Sequence, residues 1–289
     1  MHPRNIHKNS SYNFDSLIKV NTTLQEFVTL NKHTNSLTID FSNPKAVIEL
    51  NKSLLIHHYE LENWELPDGF LCPPIPSRVD YIHYVADIIA KEQEPVKGLD
   101  VGVGANAIYT ILGVQVYNWH MVGCDINAQS IEAARKNIDF TTNLKDKVKI
   151  IQQMDNANIF KGIIQQDDYF HFTMCNPPFY TSEEDASKNA SQKLKNLGKG
   201  ASELNFGGQH SELWCNGGEA LFLKRMIKQS VDFKSQVGYF TSLVSRKENL
   251  PKLEKQLKKL KAKYTIIPME HGNKKTRLIA WSFIKSFQS

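Results

Sequence analysis

Leu99-Asp100-Val101-Gly102-Val103-Gly104-Ala105-Asn106 is the stretch on which the fold turns. It closes a strand-like run that begins at residue 96 and passes straight into glycine punctuation. Glycines at 102 and 104 permit a tight turn and let a ligand approach the bare backbone. Asp125 ends the next apolar run, roughly 20 residues on, where a carboxylate suits a ribose diol. The Gly102-x-Gly104-x-x-Ala107 spacing followed by an acid also fits a nicotinamide-dinucleotide site. Asp100 separates the two readings. A carboxylate directly before the turn is awkward beside a pyrophosphate. It is comfortable near the ammonium of an amino-acid ligand, or bonded to nearby loop amides. S-adenosylmethionine has an ammonium, a sulfonium and no phosphate, so the two carboxylates favour it over NAD. Gly102, Gly104, Asp100 and Asp125 are the cofactor residues this reading selects.

Outward from the loop, apolar strand-like runs cover 96–100, 121–125, 148–152, 169–175, 236–244, 264–268 and 278–284. Helix-like runs between them include 128–140, 218–231 and 249–262. Strands alternating with helices imply an α/β domain, a parallel sheet with helices on both faces. Before the loop, 44–59 has helical spacing, with Val47, Ile48, Leu50, Leu54 and Leu55 apolar. Cys72-Pro73-Pro74-Ile75-Pro76 cannot be helix interior and reads as an extended linker. A helix is expected from Tyr81 to Ala90. The boundary is therefore set at the prolines: a mainly helical extension over 1–75 and the α/β domain over 76–289. The stretch 181–217 is polar, long and without period, as functional loops are.

Met174-Cys175-Asn176-Pro177-Pro178-Phe179 ends the fourth strand-like run, at the edge where open α/β sheets bind ligands. An exocyclic adenine amine is a poor nucleophile because its lone pair is delocalised into the ring. The Asn176 side-chain oxygen and the Pro177 carbonyl can each accept one of its N–H bonds. That fixes the amine and aims its lone pair at the methyl. The paired prolines Pro177 and Pro178 stiffen the loop, and Phe179 can stack on a flipped base. The proton can leave to solvent, so no dedicated base is required. An Asn-Pro turn is commonplace by itself; its place after a strand and a glycine loop gives it meaning.

The composition is compatible with this reading. Hydrophobic residues make up 41% and charged residues 22% of 289, enough for a large core without staples. The net charge of +5 and pI near 8.8 permit a polyanionic partner. Cys72, Cys124, Cys175 and Cys215 form no CxxC pair and no zinc spacing, so no metal is expected. Cys124 and Cys175 sit in apolar runs and read as buried thiols of a reducing compartment. The first residues lack an apolar h-region, so no signal peptide is expected, and no apolar stretch nears the roughly 20 residues that span a bilayer. A soluble, cytoplasmic protein without membrane contact is expected.

With these motifs in place, the chain resembles the class I methyltransferases that methylate amino groups, whose motif is (Asn/Asp/Ser)-Pro-Pro-aromatic. It resembles more specifically the bacterial 23S ribosomal RNA adenine-N6 methyltransferase family acting on adenine 1618, related to the eukaryotic methyltransferase-like protein 16 group. The similarity runs nearly end to end. It rests on His2-Pro3-Arg4-Asn5, Asp68-Gly69-Phe70-Leu71-Cys72-Pro73-Pro74, Arg78-x-Asp80-Tyr81-Ile82-His83, Asn205-Phe206-Gly207-Gly208-Gln209, Glu212-Leu213-Trp214-Cys215, Thr241-Ser242-Leu243-Val244-Ser245 and Ala280-Trp281-Ser282-Phe283. The resemblance implies a Rossmann-like, mostly parallel seven-stranded sheet. It implies S-adenosylmethionine as cofactor, S-adenosylhomocysteine as product, and cofactor contacts at Arg78, Gly102, Asn106, Asp125, Asn156 and Asn176. Arg78 would suit the methionine carboxylate. It also implies an RNA-binding contribution from the extension, with Arg4 and Lys8 as its candidates. The expected partner is 23S ribosomal RNA or a large-subunit assembly intermediate, with no obligate protein partner.

Two stretches concentrate positive charge. Lys188, Lys193, Lys195 and Lys199 follow the reaction motif and are expected to meet phosphates. Lys247 to Arg277 holds ten Lys/Arg against Glu248, Glu254 and Glu270, and is equally well a solvated face. Trp214 and Tyr180 are stacking candidates or core residues. Other readings stay open at this point. A methyltransferase acting on another structured RNA or on a protein glutamine amide would share the loop chemistry. A non-catalytic RNA-binding module or a dehydrogenase would share the fold.

Overall fold

In the computed structural model, the described residues are 1–8, 12–32, 34–90, 92, 95–178, 217–271 and 274–287. Phe179, Tyr180, Lys188, Lys193, Lys195, Lys199, Trp214 and Cys215 lie outside them.

The extension is built from α1 (Phe14–Val20), a hairpin of β1 (Val28–Asn31) and β2 (Ser36–Ile39), and α2 (Pro44–Tyr59). Local signals explain α2: the Asn43 side chain accepts from Lys45 N and Ala46 N, and Pro44 opens the first turn. The hairpin, and a 3-10 stretch over Thr22–Phe27, make the extension less uniformly helical than its sequence suggests. α3 runs Ile75–Ile88, six residues earlier than expected. Pro73 and Pro74 are extended as expected, but Pro76 lies in the first turn. There its missing N–H has no helical partner to lose. The proline run is therefore a helix start and not a hinge. Phe14, Leu17, Leu54 and Trp64 pack in the same buried cluster as Ile75, Val103 and Leu112, so extension and domain share one core.

The remainder is β3 (Lys97–Val101), α4 (Ile108–Tyr117), β4 (His120–Asp125), α5 (Ala128–Asp139), α6 (Thr142–Lys145), β5 (Val148–Gln152) and β6 (Phe170–Cys175). After the undescribed stretch come α7 (Gly218–Ser230), β7 (Val237–Val244), α8 (Leu250–Lys259), β8 (Lys263–His271) and β9 (Lys274–Ser282). The seven-stranded sheet has the order β5-β4-β3-β6-β7-β9-β8. All neighbours from β5 to β7 are parallel; β9 runs antiparallel to both β7 and β8. The sheet is thus mixed at one edge, and Pro268 is tolerated in β8 because that strand is the edge. α3, α4 and α5 cover one face, and α7 and α8 the other, each over its own apolar cluster. In α8 the leucines 250, 253 and 257 point inward and Lys252, Lys255, Lys258 and Lys259 are exposed. These lysines form the solvated side of an amphipathic helix.

The chain leaves β3 toward β4 and β5 on one side, then returns to β6 on the other. This reversal opens a crevice beyond the carboxyl ends of β3 and β6, where such sheets bind ligands.

Candidate active site

The two sequence motifs meet at that crevice. Val101 pairs with Cys175 in the parallel register, so the glycine loop and the Asn-Pro-Pro loop leave adjacent strands at one level. Arg78, Gly102, Gly104, Asn106, Asp125, Asn156, Asn176 and Pro178 all line a single pocket there. Pro177 is buried behind it.

The glycine loop is held almost entirely by its own protein. Gly102 N and Val103 N donate to Cys124 O at 2.8 and 2.9 Å, and Gly104 N to an Asp125 carboxylate oxygen at 3.0 Å. The other Asp125 oxygen accepts from Asn127 N at 2.9 Å, whose side chain caps α5 through Gln129 N and Ser130 N. A dinucleotide site needs such loop amides free for the pyrophosphate. Here they are satisfied internally, which disfavours NAD on physical grounds. Gly102 sits at φ 78° with open space where a side chain would start, so its backbone face is bare toward the pocket.

Asp100 behaves differently from either role that its position suggests. It is fully buried, and neither carboxylate oxygen has a hydrogen-bond partner among the described residues; the loop amides do not reach it. Burial pushes its pKa up to about 8; the Asp125 carboxylate adds to the rise and the Arg78 guanidinium opposes it. Asp125 is raised too, by burial, against the N–H bonds of Asn127, Gly104 and Ile126. Arg78 is itself buried, donating to the Tyr109 hydroxyl at 3.0 Å and lying over that ring. Asn176 Oδ1 is a second orphaned acceptor in this pocket: it is buried without a partner among the described residues. These features fit S-adenosylmethionine. A partnerless acid suits a cation, an arginine suits a carboxylate, a bare glycine admits close approach, and the amides of Gly102, Val103 and Gly104 are already engaged.

The extension also forms part of this site. Trp64 Nε1 donates to Asn106 O at 3.0 Å, and Asn106 Nδ2 to Leu71 O at 3.2 Å. Asn106 Oδ1 accepts from Ile108 N and so starts α4. Asn137 of α5 donates to both Glu65 O and Ala105 O, tying the extension to the glycine loop. Leu71 and Pro73 line the pocket wall. Arg225 and Phe222 of α7 close its outer end, Arg225 donating to Asn156 O at 3.3 Å. Tyr109, Trp64, Asn137, Phe222 and Arg225 were not singled out in the sequence. No local pattern marks them, although Arg78 called for a partner.

The chain begins by docking on α3. His2 N and Asn5 Nδ2 reach Asp80, and Arg4 pairs with Asp87 at 2.6 Å. Asp87 is nine residues beyond Arg78, roughly 13 Å along the helix. Arg4 therefore stands away from the pocket, engaged in an ion pair. Lys8 is exposed and donates to Pro3 O at 3.3 Å. Cys124 and Cys175 are buried free thiols. Among the described residues, no cluster of three metal-ligating side chains occurs, and no helix is long and apolar enough to cross a membrane.

A family model described as RNA methyltransferase matches residues 1–285. The chain belongs to that family. The ribosomal RNA large subunit methyltransferase F of Christiangramia forsetii is 56% identical over 286 residues, covering 98% of this chain and 100% of the relative. The enzyme of the same name from Flavobacterium johnsoniae is 49% identical, covering 99% and 94%. Among solved structures, the human METTL16 catalytic domain with a MAT2A 3′UTR hairpin superposes with a TM-score of 0.84 at 26% identity, over 100% of this chain and 97% of that one. The N-terminal domain of human METTL16 in complex with S-adenosylhomocysteine gives 0.80 at 25%, over 99% of each. The protein is an S-adenosylmethionine-dependent RNA methyltransferase.

Proposed function

We propose that this methyltransferase modifies the N6 amine of one adenine in 23S ribosomal RNA, adenine 1618 by its resemblance, and that it does so in the cytoplasm on 23S RNA or a large-subunit assembly intermediate. The observation that carries the reading is Asn176 Oδ1, an orphaned buried acceptor at the strand end beside the glycine loop. An acceptor with no partner in the protein suits an amine brought by the substrate. The names of the relatives supply the large-subunit RNA.

When bound, S-adenosylmethionine supplies an electrophilic methyl on its sulfonium. Arg78 would hold its carboxylate, Asp100 would face its ammonium, and Asp125 its ribose hydroxyls, with Asn156 near its base. Asn176 Oδ1 and the Pro177 carbonyl orient the adenine amine, each accepting one N–H. Phe179 stacks the flipped base, and Lys188, Lys193, Lys195 and Lys199 meet phosphates. The released proton passes to solvent.

The test is to map N6-methyladenine in 23S RNA from cells with and without the protein, and to methylate the unmodified RNA in vitro. Methyl transfer to release factor in place of RNA would establish the glutamine-amide alternative.

A further inference from the structure

The sheet leaves one strand end without a ladder partner. β6 keeps its register with β3 as far as Cys175, opposite Val101. Its register with β7 stops at Thr173, opposite Phe240. That divergence removes the strand acceptor from the Cys175 N–H, one residue before Asn176. The acceptor is supplied by a side chain from a different layer. Cys175 N donates to the Tyr81 hydroxyl of α3 at 3.2 Å. The same hydroxyl lies 2.7 Å from Thr241 Oγ1 of β7, and Thr241 Oγ1 donates to Thr173 O at 2.8 Å. The proton count fixes every direction. Thr241 spends its one hydroxyl proton on Thr173 O, so it must accept from Tyr81. Tyr81 then donates to Thr241 and accepts from Cys175. All three groups are fully buried, so no water substitutes for any of them.

The relay also meets the other half of the site. The Tyr81 ring packs edge-on against Tyr109 at 5.3 Å, and Tyr109 is the residue that receives Arg78. Arg78 and Tyr81 are one turn apart on α3. The helix that carries the cofactor arginine thus carries the hydroxyl that fixes the reaction loop.

We infer that Tyr81 and Thr241 are positioning residues for methyl transfer: their hydroxyl relay replaces the missing β6–β7 ladder and holds Asn176 at the angle the target amine requires. This inference rests on the reading of Asn176 as the amine acceptor. Neither residue lines the pocket.

Tyr81→Phe removes the hydroxyl and keeps the ring against Tyr109. The expected result is a folded protein whose S-adenosylmethionine affinity and RNA KM stay within about twofold. Its kcat should fall about 10- to 100-fold, the scale of a misplacement approaching 1 Å. Thr241→Val should do the same from the other end, and Thr241→Ser should retain wild-type kcat. The double variant should be no slower than the slower single, because one relay is broken once. Hydrogen exchange reads the pin without any substrate. Exchange at the Cys175 amide should rise in Tyr81→Phe, and exchange over 99–105 should not. Wild-type kcat in Tyr81→Phe, or unchanged exchange at Cys175, overturns the inference. If Tyr81→Phe fails to fold, the Thr241→Val and Thr241→Ser pair decides by the same readouts. If the wild type methylates a different RNA, the reading of the substrate falls, and the kcat comparison is made on that RNA. If no substrate is found, the exchange result still decides whether the relay holds the loop.

Discussion

Replacing Asp100 by asparagine tests the electrostatics of the pocket most directly. The acid is fully buried, unpartnered, and faced from every packed element. β4 presents Cys124 and Asp125, β6 presents Cys175, α3 presents Arg78 and α4 presents Tyr109. Its pKa moves from 3.8 to about 8. Between those values the folded protein holds a proton that the unfolded chain has released. Stability contributed by this group is therefore full below about 4, falls as pH rises, and is fully lost above about 8. At 1.36 kcal/mol per unit, a shift of this size costs about 6 kcal/mol at the alkaline end. Asparagine removes the titration but leaves amide hydrogens without acceptors, a penalty of about 1–3 kcal/mol. Without cofactor, Asp100→Asn should exceed the wild type by about 3–5 kcal/mol at pH 8.5, and the gap should narrow by roughly 2–3 kcal/mol between pH 8 and pH 6. Urea titrations of both proteins across that range measure it. Asp125, raised in the same direction, is present in both proteins and largely cancels in the difference. A gap that does not change with pH would refute the argument, since Asp100 would then not titrate in this window. Binding gives a second reading of the same charge. An ammonium beside Asp100 lowers its pKa, so wild type should release a proton on binding S-adenosylmethionine near pH 7.5. The binding heat should then vary with the buffer's ionisation enthalpy. In Asp100→Asn that dependence should vanish.

Asp125→Ala removes the acceptor for Gly104 N and Asn127 N together with the proposed ribose partner. S-adenosylmethionine affinity should fall by about 1.5–3 kcal/mol in calorimetry, and an unchanged affinity would remove Asp125 from the site. Phe179→Ala should keep cofactor affinity and lose RNA methylation, through about 1–3 kcal/mol of stacking and the misplaced amine. A wild-type rate on 23S RNA would end the base-stacking role. Neutralising Lys188, Lys193, Lys195 and Lys199 together should weaken RNA binding and flatten its salt slope, since fewer counterions are released. A slope equal to wild type would make them solvated surface.

What the sequence shows is what each element does with its own backbone. Glycines at 102 and 104 announce the turn, the apolar spacing over 44–59 announces a helix, and Asn176-Pro177-Pro178 announces a rigid loop after a strand. Their assembly follows from the alternation of strands and helices, and the register of Val101 against Cys175 makes one site of two motifs. What stays hidden is every bond that closes between distant elements. Arg78 and Tyr109 are 31 residues apart, Trp64 and Asn106 are 42, and Tyr81 and Cys175 are 94. A helical or strand period spans no more than about 18 residues and carries no trace of such pairs. The same limit explains why Pro76 reads as a chain break. Proline excludes a helix interior but is welcome in a first turn, and only the contacts of Ile75 and Val79 with the shared core decide between the two. It also hides how the opening residues dock, because their partners Asp80 and Asp87 become neighbours only in the fold. Asp100 is the one hidden feature with a visible cause. Its carboxylate stands in an apolar run before a loop whose amides the fold uses elsewhere. Once those amides are spent, an acid at that position is left with no hydrogen-bond partner among the described residues, and the proposed ammonium contact would supply one.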